Sequence, residues 1–273
     1  MRVADDDREL WQHSEDGRVC WLVPQWPAPD SVCALVTSRQ GGVSVGPYCG
    51  LNLGTHVDDD PTHVSANREL LAKQLPAGLR LGWMNQVHGT RVIDAAGVVD
   101  EIPEADAAWV SAPGTAALVM TADCLPVFFA DQQGSVAAVA HAGWRGLLDG
   151  ILEKTVASLP VNPGNLLAWL GPAIAACHFE VGDEVRQAFL ARAESATQRS
   201  EIAGSFTRSP QQADKWMMDI YQVARIRLGA VGVTAVHGGG LCTVCDDGHF
   251  FSYRRDGVTG RMASVIYIKQ SAT

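Results

Sequence analysis

At 273 residues, 47% of them hydrophobic, the chain is long enough to bury a sizeable core, as one large domain or two small ones. Its formal charge of −9 disfavours nonspecific binding to nucleic acid or to anionic membranes, so small molecules are the expected partners. Seven irregularly spaced cysteines, an odd number in a chain of this size, argue against a disulfide framework and for reduced thiols.

Residues 1–17 are mostly polar and rich in Asp and Glu, and are expected to form a flexible extension because they have too little apolar surface to bury. No apolar h-region opens the chain and no apolar run is long enough to cross a bilayer, so a cytoplasmic protein is expected. No linker, low-complexity stretch or fixed-period repeat divides residues 18–273, which reads as a single domain.

Apolar runs predict strands over Val32–Val36, Val92–Ala95, Ala116–Thr121, Val127–Ala130 and Val136–Ala140. The last two read as a hairpin around Asp131-Gln132-Gln133-Gly134, which excludes a wholly parallel sheet. A helix follows, with Leu147, Leu148, Ile151, Leu152, Thr155 and Val156 on one stripe before Pro160. Beyond a strand over Leu166–Leu170, a helix face at Val185, Phe189 and Leu190 and a helix over Met218–Leu228 are expected. Phe250–Tyr253 and Ala263–Ile268 close the set of strands. Several strands lie too close together for crossover helices, so the fold class is α+β rather than doubly wound.

Three short segments end predicted strands with metal-competent side chains: Gln86-Val87-His88-Gly89, Ala122-Asp123-Cys124-Leu125-Pro126 and His141-Ala142-Gly143-Trp144-Arg145-Gly146. Singly, a buried His or Cys is a core residue more often than a ligand. Together, His88, Cys124 and His141 read as a three-ligand zinc site, since two imidazoles and a thiolate suit zinc and three protein ligands leave a position open. A metal-free alternative uses Cys124 as nucleophile and His141 as base, and two imidazoles near one thiolate favour the metal. Asp123 is placed to orient a ligand or to move a proton, although adjacent strand residues point to opposite faces and its reach needs a backbone kink.

The strings NQVHG, ADCLPV and HAGWRG, with SRQGGVS at Ser38–Ser44 and FFSYRRDGVTGRMAS at Phe250–Ser264, resemble the laccase-domain purine nucleoside phosphorylase family, whose bacterial members are called YfiH-like or peptidoglycan editing factors. The likeness runs from about Ser31 to the C-terminus. It implies layered mixed sheets with helices outside, metal ligation by His88, Cys124 and His141, and zinc-dependent phosphorolysis of adenosine, inosine and methylthioadenosine, with adenosine deaminase activity beside it. The editing-factor name implies an alternative, a hydrolase of misbuilt peptidoglycan precursors. The family's older label, copper polyphenol oxidase, is the weakest reading: such oxidases use repeated H-x-H pairs, and none of the eight histidines forms one.

Phosphorolysis needs the phosphate held near the anomeric carbon. No P-loop string is present, so arginines are the candidates, their planar forks matching phosphate oxygens. Arg39, Arg145 and Arg254 are chosen, Arg145 foremost because it follows His141 at a helix start. Cys242-Thr243-Val244-Cys245 is an isolated C-x-x-C without a second pair and reads as a turn rather than a zinc knuckle; the family resemblance, in whose pattern Cys242-Thr243 recurs, implies that it lines the pocket. Trp144 is expected to pack beneath the His141 loop. Were the metal purely structural, His237, His249 or Cys242 would supply a fourth ligand. Oligomeric state has no signature in the chain.

Overall fold

A computed structural model describes residues 10–98 and 102–270. In chain order, β1 (Trp11–His13), β2 (Val19–Leu22) and β3 (Val32–Gly41) form a meander, followed by α1 (Pro61–Lys73), β4 (Arg80–Gly82) and β5 (Val92–Asp94). Next come β6 (Ala107–Val110), β7 (Thr115–Thr121), β8 (Leu125–Asp131), β9 (Ala137–Ala142), α2 (Trp144–Asp149), α3 (Ile151–Ser158) and β10 (Leu166–Leu170). The remainder is β11 (Glu180–Gly182), α4 (Asp183–Ala191), α5 (Ala196–Gly204), β12 (Phe206–Arg208), β13 (Lys215–Met218), α6 (Ile220–Ala230), β14 (Ala235–Gly238), α7 (Tyr253–Asp256) and β15 (Met262–Ile268).

Two six-stranded mixed sheets result, ordered β1-β2-β3-β15-β7-β4 and β14-β10-β8-β9-β6-β5, with a small antiparallel sheet β11-β13-β12 beside them. Parallel pairing is confined to the edges β4–β7, β5–β6 and β10–β14, and the other pairs are antiparallel. The expected hairpin is β8–β9, closed by Gly134 donating to the Asp131 carbonyl.

The central strands read as unbroken apolar runs because both of their faces are covered. Successive side chains of a strand go to opposite faces, so alternate residues serve different layers. Along β8, Phe128 joins the layer between the two large sheets, while Val127 and Phe129 join the layer under the helices. Along β7, Ala117 and Val119 face the other sheet, while Ala116, Leu118 and Met120 pack on the outer side with Leu70 and Leu71 of α1. The α+β class and the layered mixed sheets with helices outside are as the sequence indicates. Among the described residues, no helix is long and apolar enough to cross a membrane.

The structure departs from the sequence reading in several places. The helical stripe Leu147–Val156 is two helices, because Gly150 adopts a left-handed φ of +94° that ends α2 and starts α3. Phe250–Tyr253 is not a strand. Phe250 and Phe251 are both fully buried against Ala122 and Met262, and Ser252 caps the short helix α7 that begins at Tyr253. β3 runs on to Gly41, since residues beyond Val36 continue the pairing with β2. Of the stretch expected to be flexible, residues 1–9 lie outside the described residues. Leu10–Gly17 supplies β1 and a turn, held by pairing with β2 and by Trp11 stacked 4.1 Å from His249.

Candidate metal centre

The chain crosses between the two large sheets twice near one point. Residues 83–91 lead from β4 in the first sheet to β5 in the second, and residues 122–124 lead from β7 to β8. His88 lies on the first crossing and Cys124 on the second, while His141 sits within β9, paired with Pro126 of β8. The ligating atoms of His88, Cys124 and His141 all lie within 4.8 Å of one another. Cys124 Sγ is 3.7 Å from His88 Nε2, and the two imidazoles meet edge to face with centroids 4.8 Å apart. The three residues expected to converge do so, from three separate parts of the chain.

Both crossings need unusual backbone. His88 and Asp123 have φ of +57° and +92°, a region L-residues enter at a cost and only where the surroundings hold them. The His88 loop is held by Asp106, a fully buried residue just before β6. Its carboxylate accepts from the backbone N–H of Val87 (3.3 Å), His88 (2.9 Å) and Gly89 (2.7 Å). The same carboxylate accepts from His141 Nδ1 at 2.8 Å. Gln86 completes the support: its side-chain amide donates to the Met120 carbonyl at 2.8 Å and accepts from the Met120 N–H at 2.7 Å, tying the loop to β7.

The glycines of HAGWRG are steric requirements. A Cβ on Gly143 would lie 2.9 Å from His88 Cδ2 and 3.0 Å from Cys124 Sγ, inside the ligand cluster itself. A Cβ on Gly146 would meet the Gly89 carbonyl oxygen at 3.0 Å, so α2 can approach the His88 loop only with glycine there.

Electrostatics prepare the donors. Burial works against a Cys124 thiolate, yet His141 and His88 outweigh it and bring the thiol down to about 6. Burial likewise works against a charged His141, but the Cys124 thiolate and Asp106 push the imidazole up to about 9. Asp106 is held below the usual carboxylate range despite its burial by the bonds from His141 and the loop amides. Cys124 and His141 thus each favour the other's charged form, the thiolate and the imidazolium. A divalent cation can replace the proton.

The remaining expectations fare differently. Asp123 is kinked, but its carboxylate accepts from Thr243 Oγ1 (2.6 Å) and from the Arg254 backbone N–H (2.7 Å) rather than from a ligand. Orientation of His141 falls to Asp106 instead. Arg254 lines a cavity of about 140 Å³ with Asp123, Cys124, Trp144, Phe179 and Tyr253, and its Nη1 donates to the His178 and Glu180 carbonyls. Arg145 is exposed, stacked 4.5 Å over the Trp144 ring, and belongs to no ion pair among the described residues. Arg39 lies over Phe251 at 4.8 Å and donates to the Asp247 carbonyl; these contacts include none of the three ligands. Trp144, half-buried against the core under the helices, lines the cavity. None of His237, His249 and Cys242 joins the cluster as a fourth donor. A larger groove of about 710 Å³ along α5 and α6 shares no residue with this site.

Sequence reasoning missed Asp106, His56, Arg68 and Arg261. His56 is held low by burial and by the charges of Arg261, Arg68, His141 and His88, and burial lowers Arg261 against the opposing pull of the Cys124 and Asp123 charges. Asp106 left a readable signal: in Ala105-Asp106-Ala107-Ala108 a carboxylate is flanked on both sides by small apolar residues, and a buried carboxylate needs partners. Arg261 stands in the quoted GRMAS string, but nothing local distinguishes it from Arg254 and Arg255.

A family profile described as Multi-copper polyphenol oxidoreductase laccase matches residues 33–269. A Pseudomonas aeruginosa protein named purine nucleoside phosphorylase PA4543 is 51% identical over 249 residues, 91% of this chain and 98% of that one. The purine nucleoside phosphorylase YfiH of Escherichia coli is 49% identical, over 90% of this chain and 98% of that one. Among solved structures, Neisseria meningitidis protein NMB0706 superimposes with a TM-score of 0.85 at 47% identity, covering 92% of this chain and 99% of that one. YlmD of Geobacillus stearothermophilus follows at 0.82 and 29% identity, covering 96% of this chain and 99% of that one.

Proposed function

We propose that this chain, which belongs to the multi-copper polyphenol oxidoreductase laccase family, is a zinc-dependent purine nucleoside phosphorylase. Its substrates are adenosine, inosine and methylthioadenosine, with adenosine deaminase as a side activity. The reading takes residues 18–273 as one catalytic domain working in the cytoplasm on small molecules. The observation that carries it is the convergence of two imidazoles and a thiolate beside a cavity, in a chain whose relatives are named purine nucleoside phosphorylases.

The donor set fits zinc, and three protein donors leave a fourth position for an oxygen of phosphate or water. When bound, zinc supplies Lewis acidity at that position. Asp106 is ionised and can only accept, so His141 Nδ1 carries a proton and Nε2 is the ring nitrogen free to ligate. Trp144 and Phe179 offer aromatic faces in the cavity, suited to a purine ring. Arg254 lines the cavity and Arg145 stacks on Trp144 beside it, and their guanidinium groups are the candidates to hold phosphate. In phosphorolysis a phosphate oxygen bonds to the anomeric carbon as the bond to the purine nitrogen breaks, and the departing base takes up a proton.

A second reading is favoured by the depressed Cys124 thiol beside the elevated His141 imidazole: a metal-free Cys-His hydrolase acting on misbuilt peptidoglycan precursors. One experiment separates the two. Purified protein, as isolated and after metal removal by chelator, is incubated with inosine, adenosine or a nucleotide-linked muropeptide, with and without phosphate, and the products are identified. Free purine and ribose 1-phosphate, formed only with phosphate and lost in Cys124→Ala, are expected. Phosphate-independent cleavage of a nucleotide-linked muropeptide that survives metal removal, with no turnover of nucleosides, overturns the first reading in favour of the second.

A further inference from the structure

We propose a second metal site on this chain, a closed Cys3His zinc site formed by Cys177, His178, Cys242 and Cys245. It clamps the segment after β10 to the segment after β14. The four ligating atoms lie within 4.8 Å of one another. Cys177 Sγ is 3.7 Å from Cys242 Sγ and 3.5 Å from Cys245 Sγ. His178 Nδ1 is 3.2 Å from Cys177 Sγ, 3.7 Å from Cys242 Sγ and 3.4 Å from Cys245 Sγ. Zinc bonds of about 2.3 Å to sulfur and about 2.0 Å to nitrogen, arranged tetrahedrally, separate sulfur from sulfur by about 3.8 Å and sulfur from nitrogen by about 3.5 Å. Five of the six edges of such a tetrahedron are therefore within about 0.3 Å of these lengths.

The sulfurs are too far apart for disulfides, whose bond is about 2.05 Å. Three thiols and an imidazole nevertheless face a single point. The backbone holds the four residues together: Asp246 N–H donates to the Cys242 carbonyl at 3.1 Å, turning the C-x-x-C back on itself, and the Thr243 N–H donates to the Ala173 carbonyl at 3.1 Å, docking that turn on the segment that carries Cys177 and His178. Cys242 is buried, while Cys177, His178 and Cys245 reach solvent and give the ion a way in. With four protein donors no coordination position is left for substrate, so the site is structural, unlike that of His88, Cys124 and His141.

The clamp bears on the cavity beside Cys124. Thr243, between the paired cysteines, donates to Asp123. The His178 carbonyl accepts from Arg254, and Phe179, the next residue, lines the cavity with Ile174. Fixing the two segments to each other fixes the wall that carries Phe179 and Arg254.

The test counts zinc by mass spectrometry of purified, chelator-washed protein. The intact chain is expected to hold about two ions, Cys124→Ala about one, and Cys124→Ala combined with Cys245→Ser none. Equal zinc in the last two, or a disulfide among Cys177, Cys242 and Cys245 in the protein as isolated, overturns the proposal. Should the double variant fail to fold, cobalt-loaded Cys124→Ala gives the answer by itself. Strong thiolate-to-cobalt charge transfer with tetrahedral d–d bands supports the site, and a spectrum without thiolate charge transfer overturns it. Neither readout depends on turnover, so the outcome stands apart from that of the nucleoside assay.

Discussion

Asp106 accepts a hydrogen bond from His141 Nδ1 at 2.8 Å, and His141 in turn donates its backbone N–H to the Asp106 carbonyl at 2.7 Å. Because the same carboxylate gathers the amides of Val87, His88 and Gly89, one buried side chain sets the position of two of the three candidate metal donors.

Replacing Asp106 should therefore damage the metal centre more than its distance from the open coordination position suggests. Asp106→Asn preserves size but presents an amide to groups that need an acceptor, and zinc affinity is expected to fall about 10- to 100-fold. Asp106→Ala leaves three loop amides and an imidazole N–H without a partner, at a cost of about 3 to 5 kcal/mol. Chelator competition and denaturant melts of the two variants check both figures.

Gly143→Ala isolates a purely steric effect. Gly143 has φ of −59°, open to any residue, so backbone strain plays no part. The added methyl pushes on His88 and Cys124, and about 1 to 3 kcal/mol of overpacking is expected. Zinc affinity and activity should fall together while the far-ultraviolet circular dichroism stays that of the parent. Unchanged zinc affinity would mean that His88 can move aside freely.

Arg145→Lys tests the anion role. The charge survives, but one ammonium cannot reproduce paired guanidinium contacts. The phosphate concentration needed for half-maximal rate is expected to rise about tenfold, equivalent to about 1.4 kcal/mol, with little change for inosine. A raised inosine requirement alone would assign Arg145 to the nucleoside instead.

Away from the site, Asp60 caps α1 by accepting from the hydroxyl and the backbone N–H of Thr62, and these bonds hold its carboxyl below the ordinary value. A depressed folded-state pKa means that the stabilisation is present above the unfolded-state value of about 3.9 and is lost as pH falls through the folded-state value. Melting temperatures of the parent and Asp60→Ala should thus differ at pH 7 and converge in strong acid.

What the sequence determined by itself was local. Runs such as Ala116–Thr121 and Leu166–Leu170 mark strands because a strand covered on both faces must be apolar throughout. His88, Cys124 and His141 could be named because their residue types suit one metal and because their motifs resemble those of a known family. What only the tertiary structure decided was which distant residues meet. Gly150 divides a continuous helical stripe by its backbone conformation, which periodicity does not encode. Asp106 reaches the ligands through a crossing between sheets, and Cys177-His178 meets Cys242 and Cys245 across a β-bridge between Ala173 and Cys242. Spacing along a chain carries no distance once sheet pairing brings its segments together, and so the C-x-x-C read as an isolated turn until its partners, more than 60 residues away, stood beside it.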